Sequence, residues 1–108
     1  MTLIKKPWGQ EELLEVNDKY VVKRLTMNPG HRCSLQYHNN KLETIYCLSG
    51  VLHVDDDNES TTLVTGDVIT IPPGKVHRMS SEIGSVYLEC STTELDDVVR
   101  IKDDYERN

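Results

Sequence analysis

Between residues 20 and 91 the apolar residues fall in short runs, several alternating with polar ones, and Gly, Pro or Asn clusters separate them. Alternation with a step of two is the pattern of strands that bury one face. It predicts strands over 20–27, 42–48, 51–55, 62–64, 67–71, 76–79 and 85–91, with turns at Asn28-Pro29-Gly30, Ser49-Gly50 and Pro72-Pro73-Gly74. In 85–91 the parity has two solutions. If Val86, Leu88 and Cys90 face inward, Glu89 lies outside; otherwise Glu89 points into the interior. Residues 1–18 are mixed and polar, with Pro7 and Gly9 flanking Trp8, and read as an N-terminal arm that Trp8 anchors to the body. Residues 92–108 form an acidic segment in which Val98, Ile101 and Tyr105 hint at a short helix. The expected organisation is one all-β domain, a sandwich or barrel over about 19–91 flanked by the arm and the acidic segment.

Composition sharpens this picture. A chain of 108 residues suits one domain with one core. Phe is absent, so Leu, Val, Ile and five Tyr must fill that core. The net charge of -6 argues against nucleic acid or an anionic membrane surface as partner. No apolar run approaches the length of a membrane span. Cys33, Cys47 and Cys90 show no CxxC spacing, and no signal peptide is evident. This implies reduced thiols in a cytoplasm, packed as small buried hydrophobes. The tip Asp55-Asp56-Asp57-Asn58-Glu59 lacks the ligand spacing of a calcium loop and reads as a solvated turn.

The candidate chemistry lies in two stretches. In the first, Gln36 and His38 stand two apart on strand-like chain, so they share a face, and Glu43 opens the next strand after the turn-prone Asn39-Asn40. An amide oxygen, an imidazole and a carboxylate converging there suit a borderline divalent cation. The second stretch, GDVITIPPGKVHRM, places His77 just beyond a Pro/Gly turn as the fourth ligand. His31 and His53 belong to neither stretch and read as ordinary surface or strand histidines.

The two stretches read G-x5-Q-x-H-x4-E-x6-G from Gly30 and G-x5-P-x-G-x2-H from Gly66. In that order and spacing they resemble the two cupin motifs, with Gln36 where the first His usually stands and Ser81 where motif 2 usually ends on Asn. The resemblance implies a double-stranded β-helix, a jelly-roll-like barrel. Lys6-Pro7-Trp8-Gly9, Ser34-Leu35-Gln36-Tyr37-His38, Ile71 to Arg78 and the Asp96-to-Arg107 stretch narrow it further. They look like the cupin domain of type II mannose-6-phosphate isomerases, which in larger relatives follows a nucleotidyltransferase domain. This resemblance implies Gln36, His38, Glu43 and His77 as ligands of one divalent metal, zinc first, with Mn, Fe, Co or Ni as alternatives. Around the first motif the chain departs from the family, with Asn39, Asn40, Thr44 and Ile45 at variable or signature places and Lys41 where the family has Arg.

The expected activity is isomerisation of mannose 6-phosphate and fructose 6-phosphate, or a near relative, through an enediol. A proton-transfer base is needed, and Glu89, Lys41 and His53 are candidates. Arg32, Lys41, Arg78 and Arg100 are the cations nearest the motifs for a phosphate. The resemblance favours Arg100, in Asp-Asp-Val-Val-Arg, as a catalytic group closing the mouth. Two rival readings are a metal-binding cupin that binds or senses a sugar without turnover and a metal-dependent oxygenase. Small cupins also dimerise through edge strands, so a homodimer is expected.

Overall fold

The computed structural model describes residues 2–107; Met1 and Asn108, the outer ends of the expected arm and acidic segment, lie outside the described residues. Twelve strands and no helix make up the described residues. They are β1 (Thr2–Lys6), β2 (Gly9–Val16), β3 (Val21–Met27), β4 (His31–Arg32), β5 (Leu35–Tyr37), β6 (Glu43–Gly50), β7 (Leu52–Asp55), β8 (Ser60–Leu63), β9 (Val68–Ile71), β10 (Arg78–Ser81), β11 (Ser85–Ser91) and β12 (Val99–Lys102). Six strands pair in the order β1-β2-β3-β11-β6-β9, four in the order β4-β10-β7-β8, and β12 pairs with β5. Side chains from the two larger sheets meet in one core, in which Leu25, Met27, Ile45 and Tyr87 pack against Leu52, Val54, Leu63 and Met79. No helix long and apolar enough to cross a membrane is present among the described residues.

The alternation read from the sequence sets the inner face. Val21, Lys23, Leu25 and Met27 are buried on β3, and Glu43, Ile45 and Cys47 on β6. Antiparallel pairing brings the start of β3, the end of β11 and the start of β6 to one end of the sheet, through Lys23 opposite Glu89 and Ser91 opposite Glu43. The buried charges gather at that end. At the other end β6 turns at Gly50, whose φ is 77°, and a Cβ there would run into the Gly84 carbonyl. Glycine is the residue that tolerates both conditions.

Three expectations need correction. Residues 2–16 are not an arm. β1 and β2 form a hairpin, and β2 pairs with β3 along its length, so the hairpin extends the large sheet. Pro7 and Gly9 mark the hairpin turn rather than a break, and Trp8 is buried in the core, the anchor its position suggested. The acidic segment holds no helix. Its central part is β12, because an unpaired β5 edge offers Val99 and Arg100 partners in Tyr37 and Gln36. Cys90 is exposed, since it lies on the outer face of β11, while Cys33 and Cys47 are buried. The strand boundaries also shift by a few residues: the stretch expected over 76–79 begins at Arg78, and His77 joins Gln36 in an isolated bridge.

Candidate functional site

Backbone hydrogen bonds lace the two motif stretches together. Gln36 and His77 exchange a pair, at 3.0 and 2.9 Å, and the Gly74 N–H at the end of the Pro72-Pro73 turn donates to the His38 carbonyl at 2.6 Å. β6 then starts with Glu43 pointing inward. Side chains far apart in sequence are thereby fixed around one point.

His38, Glu43 and His77 are all buried, and one ligand atom from each lies within 4.8 Å of the others. His38 Nδ1 is 2.6 Å from the Asp97 carbonyl and His77 Nδ1 is 2.8 Å from the Lys75 carbonyl. A carbonyl only accepts, so each Nδ1 carries a hydrogen and, in the neutral ring, each Nε2 lone pair faces the site. His38 Nε2 stands 3.5 Å from Glu43 Oε2, and His77 Nε2 stands 3.5 Å from Glu43 Oε1. Those two nitrogens and both Glu43 oxygens are buried without a hydrogen-bond partner. Native proteins rarely leave four such atoms together. Ligand bonds of about 2.0–2.1 Å in a tetrahedral site place neighbouring ligand atoms about 3.3 Å apart. The residues present therefore fit a divalent metal ion. Burial works against a charge on His38, but the adjacent Glu43 carboxylate outweighs it and raises the imidazole above its ordinary value. Burial likewise opposes the Glu43 charge, and His38, His77 and Lys41 together hold its carboxyl well below the ordinary range.

Gln36 is half-buried on the wall of a cavity of about 250 Å3 that His38, Lys41, Glu89 and Arg100 also line. Its Oε1 accepts the hydroxyl of Ser34 at 2.6 Å, and Ser34 is fully buried. A carbonyl oxygen has a second lone pair, so this bond orients the amide and still leaves it able to ligate. Ser34 was not anticipated as this anchor, although it sits in the quoted Ser34-to-His38 stretch.

The parity of β11 resolves in favour of Glu89: Tyr87, Glu89 and Ser91 are buried, and Cys90 faces solvent. Lys41 Nζ is 2.8 Å from Glu89 Oε2 and 3.3 Å from Glu43 Oε2, so it bridges the two carboxylates. Burial disfavours the Lys41 charge, yet Glu89 and Glu43 outweigh it and raise its pKa, which keeps it an ammonium at neutral pH. Two further charged residues continue the row and were missed in the sequence. Lys23 Nζ is 3.8 Å from Glu89 Oε2 and 3.1 Å from Glu11 Oε1, and all three side chains are nearly buried. The hidden signal was the inward parity of Lys23 on a strand that otherwise buries Val21, Leu25 and Met27.

The acidic segment crosses this end of the barrel. Asp97 anchors it: besides its carbonyl bond to His38, its carboxylate accepts the N–H groups of Asn39, Asn40 and Lys41 at 3.0, 2.7 and 3.1 Å. Those amides hold the Asp97 carboxyl below its ordinary range. Arg100, opposite Gln36, lines the cavity, and its Nε is buried without a partner. The other two expected phosphate cations are elsewhere. Arg32 is an exposed partner of Asp104 at 2.6 Å. Arg78 is buried and donates to the carbonyls of Cys33 and Lys102, at 3.0 Å each, stapling the crossing segment to the barrel. Neither lines the cavity, although Met79 beside Arg78 and Cys33 beside Arg32 do: Arg78 is turned to the two carbonyls and Arg32 outward to Asp104. His53, offered as a base, is bonded to Thr62 on the four-stranded sheet, and His31 stacks on Tyr105. At the acidic tip Asp56 accepts two local amides and pairs with Lys75 at 3.2 Å, as a solvated turn does. Burial pushes the Cys33 thiol up to about 11, which leaves it unreactive.

Residues 2–103 match the family model described as Mannose-6-phosphate isomerase C-terminal. The chain is 33% identical over 108 residues to a mannose-1-phosphate guanylyltransferase of Escherichia coli (strain K12), covering 94% of this chain and 22% of that protein. It is 31% identical over 108 residues to the alginate biosynthesis protein AlgA of Pseudomonas aeruginosa, with the same coverage of 94% and 22%. The chain thus spans about a fifth of the length of these curated relatives. Among solved structures, a cupin-2 domain protein from Rhodospirillum rubrum superposes with a TM-score of 0.82, at 15% identity, over 92% of this chain and 74% of its own. That likeness establishes the cupin fold.

Proposed function

The chain belongs to the family of mannose-6-phosphate isomerase C-terminal domains, and from that premise we propose that it is a metal-dependent aldose–ketose isomerase acting on mannose 6-phosphate and fructose 6-phosphate or a near relative. The observation that carries the reading is the continuity of the site: Lys41, which lines the cavity with His38 and Glu89, joins Glu89 to the buried Glu43, whose oxygens face both histidines. A divalent ion held by His38, Glu43 and His77, with Gln36 beside them, supplies polarisation of the C1 carbonyl and C2 hydroxyl when bound, zinc being the ion the resemblance favours.

The chain's own residues do the rest. Glu89 Oε2 is engaged by Lys41 and lies within reach of Lys23, which leaves Oε1 to take the C2 proton of the aldose. As the C2 hydroxyl proton passes to O1 an enediolate forms with its charge on O2, and Glu89 returns its proton to C1 to give the ketose. No oxidant or reductant is consumed. The Lys41 ammonium stands where negative charge grows on the oxygens, and the unpartnered Arg100 Nε can bind a phosphate or that same charge.

The test is an isomerase assay of the zinc-loaded chain on a panel of hexose and pentose phosphates, with Glu89→Gln beside it. The expected result is turnover of a hexose phosphate in the wild type and a fall of about 100-fold or more in Glu89→Gln with zinc content unchanged. Binding without turnover of any panel member would leave a sugar-binding cupin in place of the enzyme.

A further inference from the structure

The row of charges beyond Lys41 has no part in holding the metal. Glu11 on β2, Lys23 on β3 and Glu89 on β11 line the cavity from three adjacent strands. Their side chains are 11%, 7% and 8% exposed. Burying a lysine this deeply is costly unless its donors are used. Lys23 has three N–H donors, and its close partner is Glu11 at 3.1 Å, with Glu89 Oε2 at 3.8 Å beyond hydrogen-bond distance. An ammonium with unspent donors beside a carboxylate with unspent lone pairs, both facing a cavity, is a wall of alternating donors and acceptors.

The chemistry of that alternation selects its ligand. A hydroxyl both donates and accepts, so neighbouring hydroxyls of a sugar can each bridge a lysine and a glutamate. A phosphate only accepts, and along this wall it would face Glu11 and Glu89 as like charges, while the further lysine at this wall, Lys6, is itself turned to Glu11 Oε2 at 4.0 Å. The cavity cation whose Nε has no partner is Arg100, on the crossing segment rather than on this wall.

We propose that Glu11 and Lys23 form a hydroxyl-binding subsite that grips the sugar carbons away from the phosphate and sets which sugar is accepted. This rests on the isomerase reading for the phosphate and extends it to residues that only the fold brings together. Glu89 belongs to both the wall and the reaction, so the test uses Lys23 and Glu11.

The experiment is calorimetric binding of mannose 6-phosphate, its 3-deoxy and 4-deoxy analogues, mannose and inorganic phosphate to the zinc-loaded full chain and to Lys23→Met. Zinc content, melting temperature and turnover are read in parallel. The expected result is a loss of about 10- to 100-fold in mannose 6-phosphate affinity in Lys23→Met with inorganic phosphate affinity unchanged. A deoxy analogue that binds the wild type more weakly should lose little further in the variant, because the hydroxyl and the ammonium are one interaction. Unchanged mannose 6-phosphate affinity, or an equal loss for inorganic phosphate, overturns the subsite. If Lys23→Met does not fold, the double variant Glu11→Gln/Lys23→Gln, which keeps a neutral hydrogen-bonded pair, is judged by the same two criteria. A chain that binds mannose 6-phosphate through Lys23 without turning it over refutes the isomerase and keeps the subsite. A chain that isomerises it with affinity indifferent to Lys23 does the reverse. A chain that binds none of the sugars refutes both.

Discussion

The wall built by His38, Glu43 and His77 and the wall built by Glu11, Lys23, Glu89 and Lys41 line one end of the same barrel, and both are buried. They treat charge in opposite ways. On the first, two imidazole nitrogens and two carboxylate oxygens face one another with no hydrogen donor among them in the neutral tautomers, and with Lys41 reaching one carboxylate oxygen alone the set fits a divalent cation. On the second, each carboxylate has an ammonium within 2.8–3.1 Å, so the set is neutral within itself. Lys41 is the hinge between them, reaching Glu43 at 3.3 Å. The lesson is that a buried polar cluster is informative through its remainder. What stays unpartnered after all internal pairs are counted indicates what must come from outside.

The largest effect should come from the first wall. His77→Ala should abolish stoichiometric zinc binding, measured by elemental analysis after gel filtration. Its melting temperature should fall at least to that of chelated wild type, because the mass-action stabilisation by metal is lost and a fully buried ring is removed. Zinc retained in a His38→Ala/His77→Ala double variant would break the comparison at its root.

Glu89→Ala tests the second wall and should act the other way. Removing the shared carboxylate leaves Lys41 with Glu43 alone and Lys23 with Glu11 alone, a cost on the order of 3 kcal/mol. That corresponds to a drop in melting temperature of roughly 10 °C or more for a domain of this size, and it should be the same with zinc and with chelator. A drop seen only in the zinc-loaded chain would show that the two walls are one unit.

A smaller effect concerns Arg100, a cavity cation with no ion-pair partner among the described residues. Arg100→Ala should keep zinc and stay within about a degree or two of the wild-type melting temperature, while losing isomerase turnover by about 100-fold. Arg100→Lys should restore only part of it, since the fork geometry is lost. Early melting with zinc still bound would make Arg100 a structural counter-ion.

The smallest effect is on the segment that crosses the cavity. Arg107 and local amides lower the Asp103 carboxyl to about 2, Arg32 lowers Asp104, and the 39–41 amides lower Asp97. A carboxyl depressed on folding contributes stability above its unfolded value, near 4, and loses it as the pH falls through the folded value. The protection factors for amide exchange over 92–107 should therefore fall between about pH 4 and pH 2. The inner strands should stay protected further into acid, because their side chains are packed in the buried core rather than held by exposed carboxylates. Uniform loss of protection across the chain would mean the segment is not a separate unit.

Several elements were legible in the residue order. The alternation in Tyr20–Met27 and Leu42–Leu48 marks β3 and β6, because one buried face per strand writes a period of two. The spacing of His38 and Glu43, with His77 beyond a Pro/Gly turn, marks the wall whose atoms fit a divalent ion, because its residue types are those of ligand chemistry. Other features could not be read this way. The sequence leaves Glu89 with two parities, and the pairing of β11 between β3 and β6 selects the inward one. Residues 2–16 carry no clear alternation because most of β1 and β2 is solvated, and the hairpin is recognised only through the β3 edge it covers. Arg32, Arg78 and Arg100 are alike in sequence as cations near motifs. Side-chain direction turns Arg78 to the Cys33 and Lys102 carbonyls and Arg32 out to Asp104, and the crossing segment brings Arg100 to the cavity. Lys23 meets Glu11 and Glu89 across three strands, a contact decided by register, which the order of residues along one strand does not contain.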